Sequence, residues 1–248
     1  MSLVDLGKAD MKLAILSDIH ANLHALHAVW VDIEAEEPDA VYCLGDLVGY
    51  GAFPNETIEF IREHKIPTIM GNYDEGVGFG LHDCGCVYKD PVQDQLGKRS
   101  LKWTQVKTTR ENKEYLQTLP MQIRLDAKKP KLLLVHGSPR RINEYLYEDR
   151  PEATFDRVAR LAGTDVLLFG HTHLPYQKRV AGTLFVNCGT VGKPKDGHPG
   201  AGYVILTLGR RIEAEYKRVP YDVGAAAKAI RESDLPHEFA QALETGGI

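Results

Sequence analysis

Apolar residues along this chain gather into short runs that stop abruptly at polar or ionisable residues. Leu13-Ala14-Ile15-Leu16 gives way at once to Ser17-Asp18-Ile19-His20. A run of this kind predicts a strand buried on both faces, as in the middle of a parallel sheet. Asp18 and His20, two apart in a segment read as extended, then point the same way. Behind them Ala21–Glu37 places Leu23, Leu26, Val29, Trp30 and Ile33 at helical spacing, and Pro38 ends the segment. Asp39–Leu44 predicts a second buried strand, ending in Gly45-Asp46. Pro54–Lys65 follows as a helix with Ile58, Phe60 and Ile61 inward. Ile66–Met70 reads as a third strand, ending in Gly71-Asn72-Tyr73-Asp74. The order is β-α-β-α-β, and each strand ends in residues of ligand type.

The pattern then changes. Gly76-Val-Gly-Phe-Gly80 has the wrong spacing for a dinucleotide fingerprint and no helix behind it, so it reads as a mobile loop beside the site. Residues 92–119 read as helical with a break at Thr108-Thr109, and Pro120 closes them. Short strands follow at Gln122–Asp126 and at Leu132–Val135, the latter running into His136-Gly-Ser-Pro. Glu152–Leu161 predicts a helix, and Asp165–Phe169 a buried strand ending in Gly170-His171-Thr172-His173. Tyr176–Val180, Thr183–Asn187, Tyr203–Leu208 and Ile212–Val219 read as meander strands between glycine-containing turns. Ala225–Arg231 predicts a helix, and the tail to Ile248 ends loosely in Gly246-Gly247. No repeat, low-complexity run or linker divides the chain. The expectation is one domain over residues 11–248, with residues 1–10 a loose arm.

Composition narrows the picture by exclusion. An apolar fraction of 43% and a charged fraction of 26% in 248 residues are those of an ordinary globule. A net charge of −4 and a pI near 6.2 give no general attraction to nucleic acid or anionic membrane. No apolar run reaches the ~18 residues of a membrane span, and Asp5, Lys8, Asp10 and Lys12 interrupt any signal-like stretch. The four cysteines are too scattered for a disulfide framework. Cys43 reads as core, and Cys84-Gly-Cys86 lacks the second pair that a structural zinc site needs. Thiols throughout point to a reducing, cytoplasmic setting.

Collected, the segment ends supply Asp18, His20, Asp46, Asn72, His136, His171 and His173. Four imidazoles, two carboxylates and an amide oxygen, without thiolate, suit borderline divalent metals. Manganese comes first, with iron, zinc, nickel and cobalt as alternatives. Seven ligands exceed one ion and fit two, and a carboxylate is the natural bridge. Such a pair clamps a phosphoryl group and acidifies a water. His27, His64, His82 and His198 lie outside this pattern and read as surface or core residues.

The ordered set Asp-x-His, Gly-Asp, Gly-Asn-x-Asp, His, Gly-His-x-His resembles the calcineurin-like metallophosphoesterase signature. It runs from Asp18 to His173, and Asn187-Cys-Gly-Thr-Val-Gly-Lys-Pro-Lys-Asp196 extends the likeness to the small prokaryotic phosphodiesterase and phosphatase branch. The resemblance implies an α/β fold, a four-layer α/β/β/α sandwich of two mixed sheets. It implies a first metal on Asp18, His20 and His173, a second on Asn72, His136 and His171, and Asp46 as bridge. It further implies in-line attack of a metal-bound hydroxide on a phosphomonoester or phosphodiester. Asn72 is expected to touch a phosphate oxygen, which puts it among the catalytic residues with Tyr73 and Asp74.

Tyr73 departs from the family pattern, which has histidine after Gly-Asn. A phenol of pKa ~10 is a poorer proton donor at neutral pH than an imidazolium. The departure implies leaving groups that need little protonation, or another donor such as His24 or Tyr50. Asp74 is expected to orient Tyr73 or a metal ligand. Arg140-Arg141, Lys193 and Lys195 are candidates for phosphate contact as well as for solvated surface. Ser138 lacks the nucleophile-elbow sequence. The partner implied is a small phosphorylated substrate. A nuclease, and a non-catalytic metal-binding scaffold on the same fold, are the alternatives.

Overall fold

The computed structural model describes residues 11–87, 90–125 and 130–247. The expected arm at residues 1–10 lies outside the described residues, as do Asp126 and Ile248. The first strand, β1 (Met11–Leu16), pairs in parallel with β2 (Ala40–Cys43) and antiparallel with β8 (Ala201–Leu208). With β9 (Ile212–Val219) they form a four-stranded sheet in the order β2-β1-β8-β9. The second sheet orders β3 (Gln122–Leu125), β4 (Leu132–Val135), β5 (Val166–Phe169), β7 (Thr183–Asn187) and β6 (Tyr176–Val180) as β3-β4-β5-β7-β6. Its three inner strands are parallel, and both edge pairs are antiparallel. Both sheets are therefore mixed.

Alternation along each strand sets the layers. Leu13 and Ile15 of β1 meet Leu132, Leu134, Val166 and Leu168 between the sheets. Ala14 and Leu16 face the other way, onto α1 (Leu23–Glu36) and its neighbours. Leu133, Val135, Leu167 and Phe169 pack outward on Phe155 and Val158 of α6 (Glu152–Ala162). Helix, sheet, sheet and helix stack in that order, the expected sandwich. The remaining helices are α2 (Pro54–Glu63), α3 (Asn72–Gly78), α4 (Pro91–Lys107), α5 (Arg110–Gln117), α7 (Val223–Arg231) and α8 (Glu238–Thr245). The predicted break falls at Thr108-Thr109, where the Thr109 side chain caps α5.

Two expectations are corrected. Ile66–Met70 is no strand: Thr68 forms a single bridge to Cys43. Pro67 has no N–H to give a ladder, and Met70 instead donates to the Pro120 carbonyl at 2.8 Å. The supposed loop at Gly76–Gly80 belongs largely to α3, whose first turn is capped by the Asp74 carboxylate accepting from Gly71 N at 2.9 Å. Ahead of Gly246-Gly247 the tail carries a helix that the spacing did not predict, α8, which buries Phe239, Ala240 and Leu243. No helix among the described residues is long and apolar enough to cross a membrane.

Candidate metal centre

The carboxyl ends of β1, β2, β4 and β5 converge at one end of the sandwich, and their loops carry the ligand-type residues. Asp18, His20, Asp46, His171 and His173 all sit in the left-handed backbone region, with φ between 51° and 65°. The extended geometry expected for Asp18-x-His20 is thus replaced by a tight, strained turn. For non-glycine residues this costs roughly 1–2 kcal/mol each. Backbone bonds to the neighbouring turn hold it: Asp18 N to Gly45 O at 3.0 Å, His20 N to Asp46 O at 2.9 Å and Ala21 N to Leu47 O at 2.8 Å. Gly170 sits so close to this turn that a methyl group there would strike Ser17 Oγ and Asp18 Oδ2.

Two buried groups result. Asp18, His20 and His173 form one, and Asp46, His136 and His171 the other; within each group the ligating atoms lie within 4.8 Å of one another. Asp46 Oδ2 is 3.7 Å from His20 Nε2 and 3.5 Å from His136 Nε2, between the groups. Asn72 joins the second group, with Oδ1 3.0 Å from His136 Nε2.

Backbone carbonyls orient three of the rings. His20 Nδ1 lies 3.0 Å from Val48 O, His136 Nδ1 2.8 Å from Leu44 O, and His173 Nδ1 2.6 Å from Lys193 O. A carbonyl only accepts, so each Nδ1 carries a proton, and in His20 and His173, whose pKa values are lowered, Nε2 presents a lone pair inward. His20 Nε2 and His173 Nε2 then face each other across 3.1 Å, and Asp18 Oδ1 stands 3.2 Å from His173 Nε2. Asp18 Oδ1 and His171 Nε2 are buried with no hydrogen-bond partner. Buried acceptors turned on one another are what cations satisfy. The residues present therefore fit two divalent ions.

Electrostatics point the same way. Burial, and then the charges of neighbouring groups, hold His20 and His171 well below the usual histidine range, and bring His173 down to about 4. These rings are neutral, ligand-ready imidazoles at pH 7. Burial also opposes charge on His136, but Asp46 and Asp18 outweigh it and raise its pKa to about 10. In the metal-free protein this ring takes up the proton that balances the carboxylates. His173 and the other histidines outweigh burial at Asp18 and hold it well below the usual carboxylate range, while burial raises Asp46.

The other expected residues fall around this centre. Tyr73 is buried, its ring edge-on to His20 at 5.7 Å, and its hydroxyl lies 3.4 Å from the Gly97 carbonyl of α4. Asp74 accepts from the backbone N–H groups of Asp46, Leu47 and Gly71 at 2.8–2.9 Å. It orients the turn that carries Asp46, and burial followed by the Asp46 charge raises its pKa to about 7. Tyr50 packs edge-on against His20 at 5.0 Å beneath Lys193 Nζ, 4.4 Å above its ring. His24 stacks on Phe53 at 5.4 Å. Arg140 and the hydroxyl of Ser138 are both committed to Glu144. Lys193 and Lys195 line a cavity of about 450 Å³ with Tyr50, Leu96, Phe239 and Gln241.

Several contributors had no sequence signal. Ser17 donates to Asp18 Oδ2 at 2.5 Å, the His171 amide reaches the same oxygen at 3.0 Å, and the Tyr145 ring packs on His171 at 4.1 Å. Val48, Leu44 and Lys193 act through their carbonyls, which every residue type carries.

Two mixed sheets thus carry a double cluster of buried histidines and carboxylates, of metal-ligand type, at their strand ends. The chain matches the calcineurin-like phosphoesterase superfamily domain over residues 11–211, and it belongs to that superfamily. It is 32% identical to the uncharacterized protein MJ0912 of Methanocaldococcus jannaschii, over 94% of this chain and 98% of that one. The crystal structure of a metallophosphoesterase from Sphaerobacter thermophilus superimposes with a TM-score of 0.76 at 30% identity, covering 96% of this chain and 99% of the other. The phosphodiesterase YfcE of Escherichia coli K12 is 27% identical over 79% of this chain and 87% of its own length.

Proposed function

We propose that this protein is a dinuclear-metal phosphoesterase that hydrolyses a small phosphomonoester or phosphodiester. The observation that carries the reading is the convergence of two buried ligand groups, in which Asp18 Oδ1 and His171 Nε2 have no hydrogen-bond partner among the described residues. Asp18, His20 and His173 would hold one ion, and Asn72, His136 and His171 the other, with Asp46 between them. Two bound divalent ions, manganese first, would supply Lewis acidity toward phosphoryl oxygens and an acidified water as nucleophile.

The chain's own residues do the rest. Asn72 Nδ2 donates to the Cys84 carbonyl at 3.0 Å, which fixes the amide so that Oδ1 faces the centre. Lys193, whose pKa burial lowers to about 7, and Lys195 line the cavity beside Tyr50 together with Glu238, and offer a phosphate its cationic partners there. Leu96, Phe239 and the Tyr50 ring give that cavity an apolar wall, which suits an organic group on the ester. Tyr73 and Asp74 act as positioning residues, one against His20 and the other beneath Asp46. A phosphodiesterase among the relatives supports the reaction class.

The test is hydrolysis of p-nitrophenyl phosphate and its bis ester by metal-stripped protein reloaded with Mn²⁺. Asp46→Ala should lower the rate by at least about 10²–10³-fold, the loss typical of one electrostatic element of an active site, and should reduce bound manganese. Wild-type turnover in that variant would overturn the assignment.

A further inference from the structure

Residues 84–86 lie outside the ligand set and yet touch it. Asn72 Nδ2 donates to the Cys84 carbonyl at 3.0 Å and lies 3.3 Å from Cys86 Sγ. These two contacts decide that the amide oxygen, and not the NH₂, faces His136. The Cys84 and Cys86 sulfurs are 3.1 Å apart, with one thiol donating to the other, about 1 Å more than the ~2.05 Å of a disulfide bond. Gly85 folds the pair together at φ 70°, and the turn is pinned by Gly85 N donating to Asp83 Oδ1 at 2.7 Å and Asn143 Nδ2 donating to Gly85 O at 3.1 Å.

The two sulfurs differ in ways that suit a redox pair. Cys84 is buried. Cys86 is half-exposed. Access to solvent decides which sulfur an oxidant can reach. Cys86 is thus the sulfur that an oxidant meets first, and Cys84 the one that resolves it.

We propose that Cys84 and Cys86 form a reversible disulfide that turns Asn72 and so weakens the metal centre. The inference rests on the reading of this site as a metal centre and deepens it. With a peroxide as oxidant, the Cys86 thiolate attacks one oxygen, the O–O bond breaks and the first water leaves. Cys84 then displaces the sulfenic hydroxyl, so the S–O bond breaks, the S–S bond forms and a second water leaves. Two electrons and two protons pass from the thiols to the peroxide. Closing the 3.1 Å gap to bonding distance shifts the turn that carries both contacts, the Cys84 carbonyl and Cys86 Sγ, and so loosens the hold on the Asn72 amide. A ring closed across a single glycine is strained, and strained disulfides are readily reduced, which makes the switch reversible.

Diamide, which accepts two hydrogens from two thiols, is the probe. Treated wild-type protein should lose 2 Da and two of its four titratable thiols, with peptide mapping joining Cys84 to Cys86. Its Mn²⁺ affinity, read by isothermal titration, should fall about tenfold, the usual effect of disturbing a residue that orients a ligand, and dithiothreitol should restore it. In Cys84→Ser the mass loss disappears and diamide leaves the Mn²⁺ affinity where it stood before treatment. Failure of the native protein to form this disulfide, or its formation with no change in Mn²⁺ affinity, would overturn the switch. A reduced protein that binds no Mn²⁺ would overturn the metal reading itself, and the mass shift would still report on the thiol pair.

Discussion

Asp74 takes no ligand position, yet one carboxylate collects three backbone N–H groups from the two turns that carry Asp46 and Asn72. Asp74→Asn keeps the shape and turns one acceptor oxygen into a donor. Whichever way the amide sits, its NH₂ faces a backbone N–H, and each buried donor left unmatched costs about 1–3 kcal/mol. The variant should melt several degrees lower, at about 2–4 °C per kcal/mol for a chain of this size. Melting by circular dichroism at the wild-type temperature would show that Asp74 is not the clasp between the turns. Tyr73 poses a different question, since it stands where the family has histidine. With its hydroxyl at the Gly97 carbonyl, Tyr73→Phe should change kcat by no more than a few-fold. A loss of 10²–10⁴-fold would instead mark the phenol as the proton donor. At this scale the ligand types were legible in the chain, because only Asp, His and Asn supply those atoms. Their aim was not, since it depends on the carbonyls of Leu44, Val48 and Lys193 and on left-handed backbone at non-glycine residues.

Among the elements, the buried strands were readable because four to six apolar residues that halt at a polar one are too short for a buried helix and too apolar for a loop. Where the reading failed, a neighbour had already claimed the backbone. Ile66–Met70 has a strand's composition, but its ladder stops at the one bridge to Cys43, because Ile66 N turns back to Ile61 O at 3.1 Å and Met70 N goes to Pro120 O at 2.8 Å. Gly76–Gly80 looked like a loop for its glycines, while the signal for α3 lay just upstream in Gly71-x-x-Asp74, a helix start. The turn at Gly45 shows how tightly the elements are spaced. Its φ is 85°, and an added methyl would fall on the Gly71 amide. Gly45→Ala should cost more than the roughly 1–2 kcal/mol of left-handed strain alone, because the Asn72 turn must also retreat. A urea midpoint unchanged from wild type would mean that the two turns are free to separate.

For the molecule as a whole, the sandwich follows from two inner strand faces that need one another, and the β-rich second half of the chain already favoured it over a doubly wound sheet. The C-terminal helices were the harder part. Phe239, Ala240 and Leu243 mark a helix only eight residues long, and its burial depends on Tyr50, which Phe239 meets at 5.1 Å. That contact cannot be read from local spacing. The four layers also set a cost. They enclose carboxylates and imidazoles whose inward atoms face one another, so the folded protein without metal holds groups that water would satisfy in the unfolded chain. Ions that bind only the folded state add RT ln(1 + [L]/Kd), about 2.7 kcal/mol per site at a hundredfold excess over Kd. Two sites filled to that degree should raise the melting temperature by about 10–20 °C over chelator-treated protein. Asp46→Ala, which removes the carboxylate shared by both groups, should lose most of that rise while the stripped variant still folds. Coincident melting curves for stripped and manganese-loaded wild-type protein would mean that these strand ends were not built around metal.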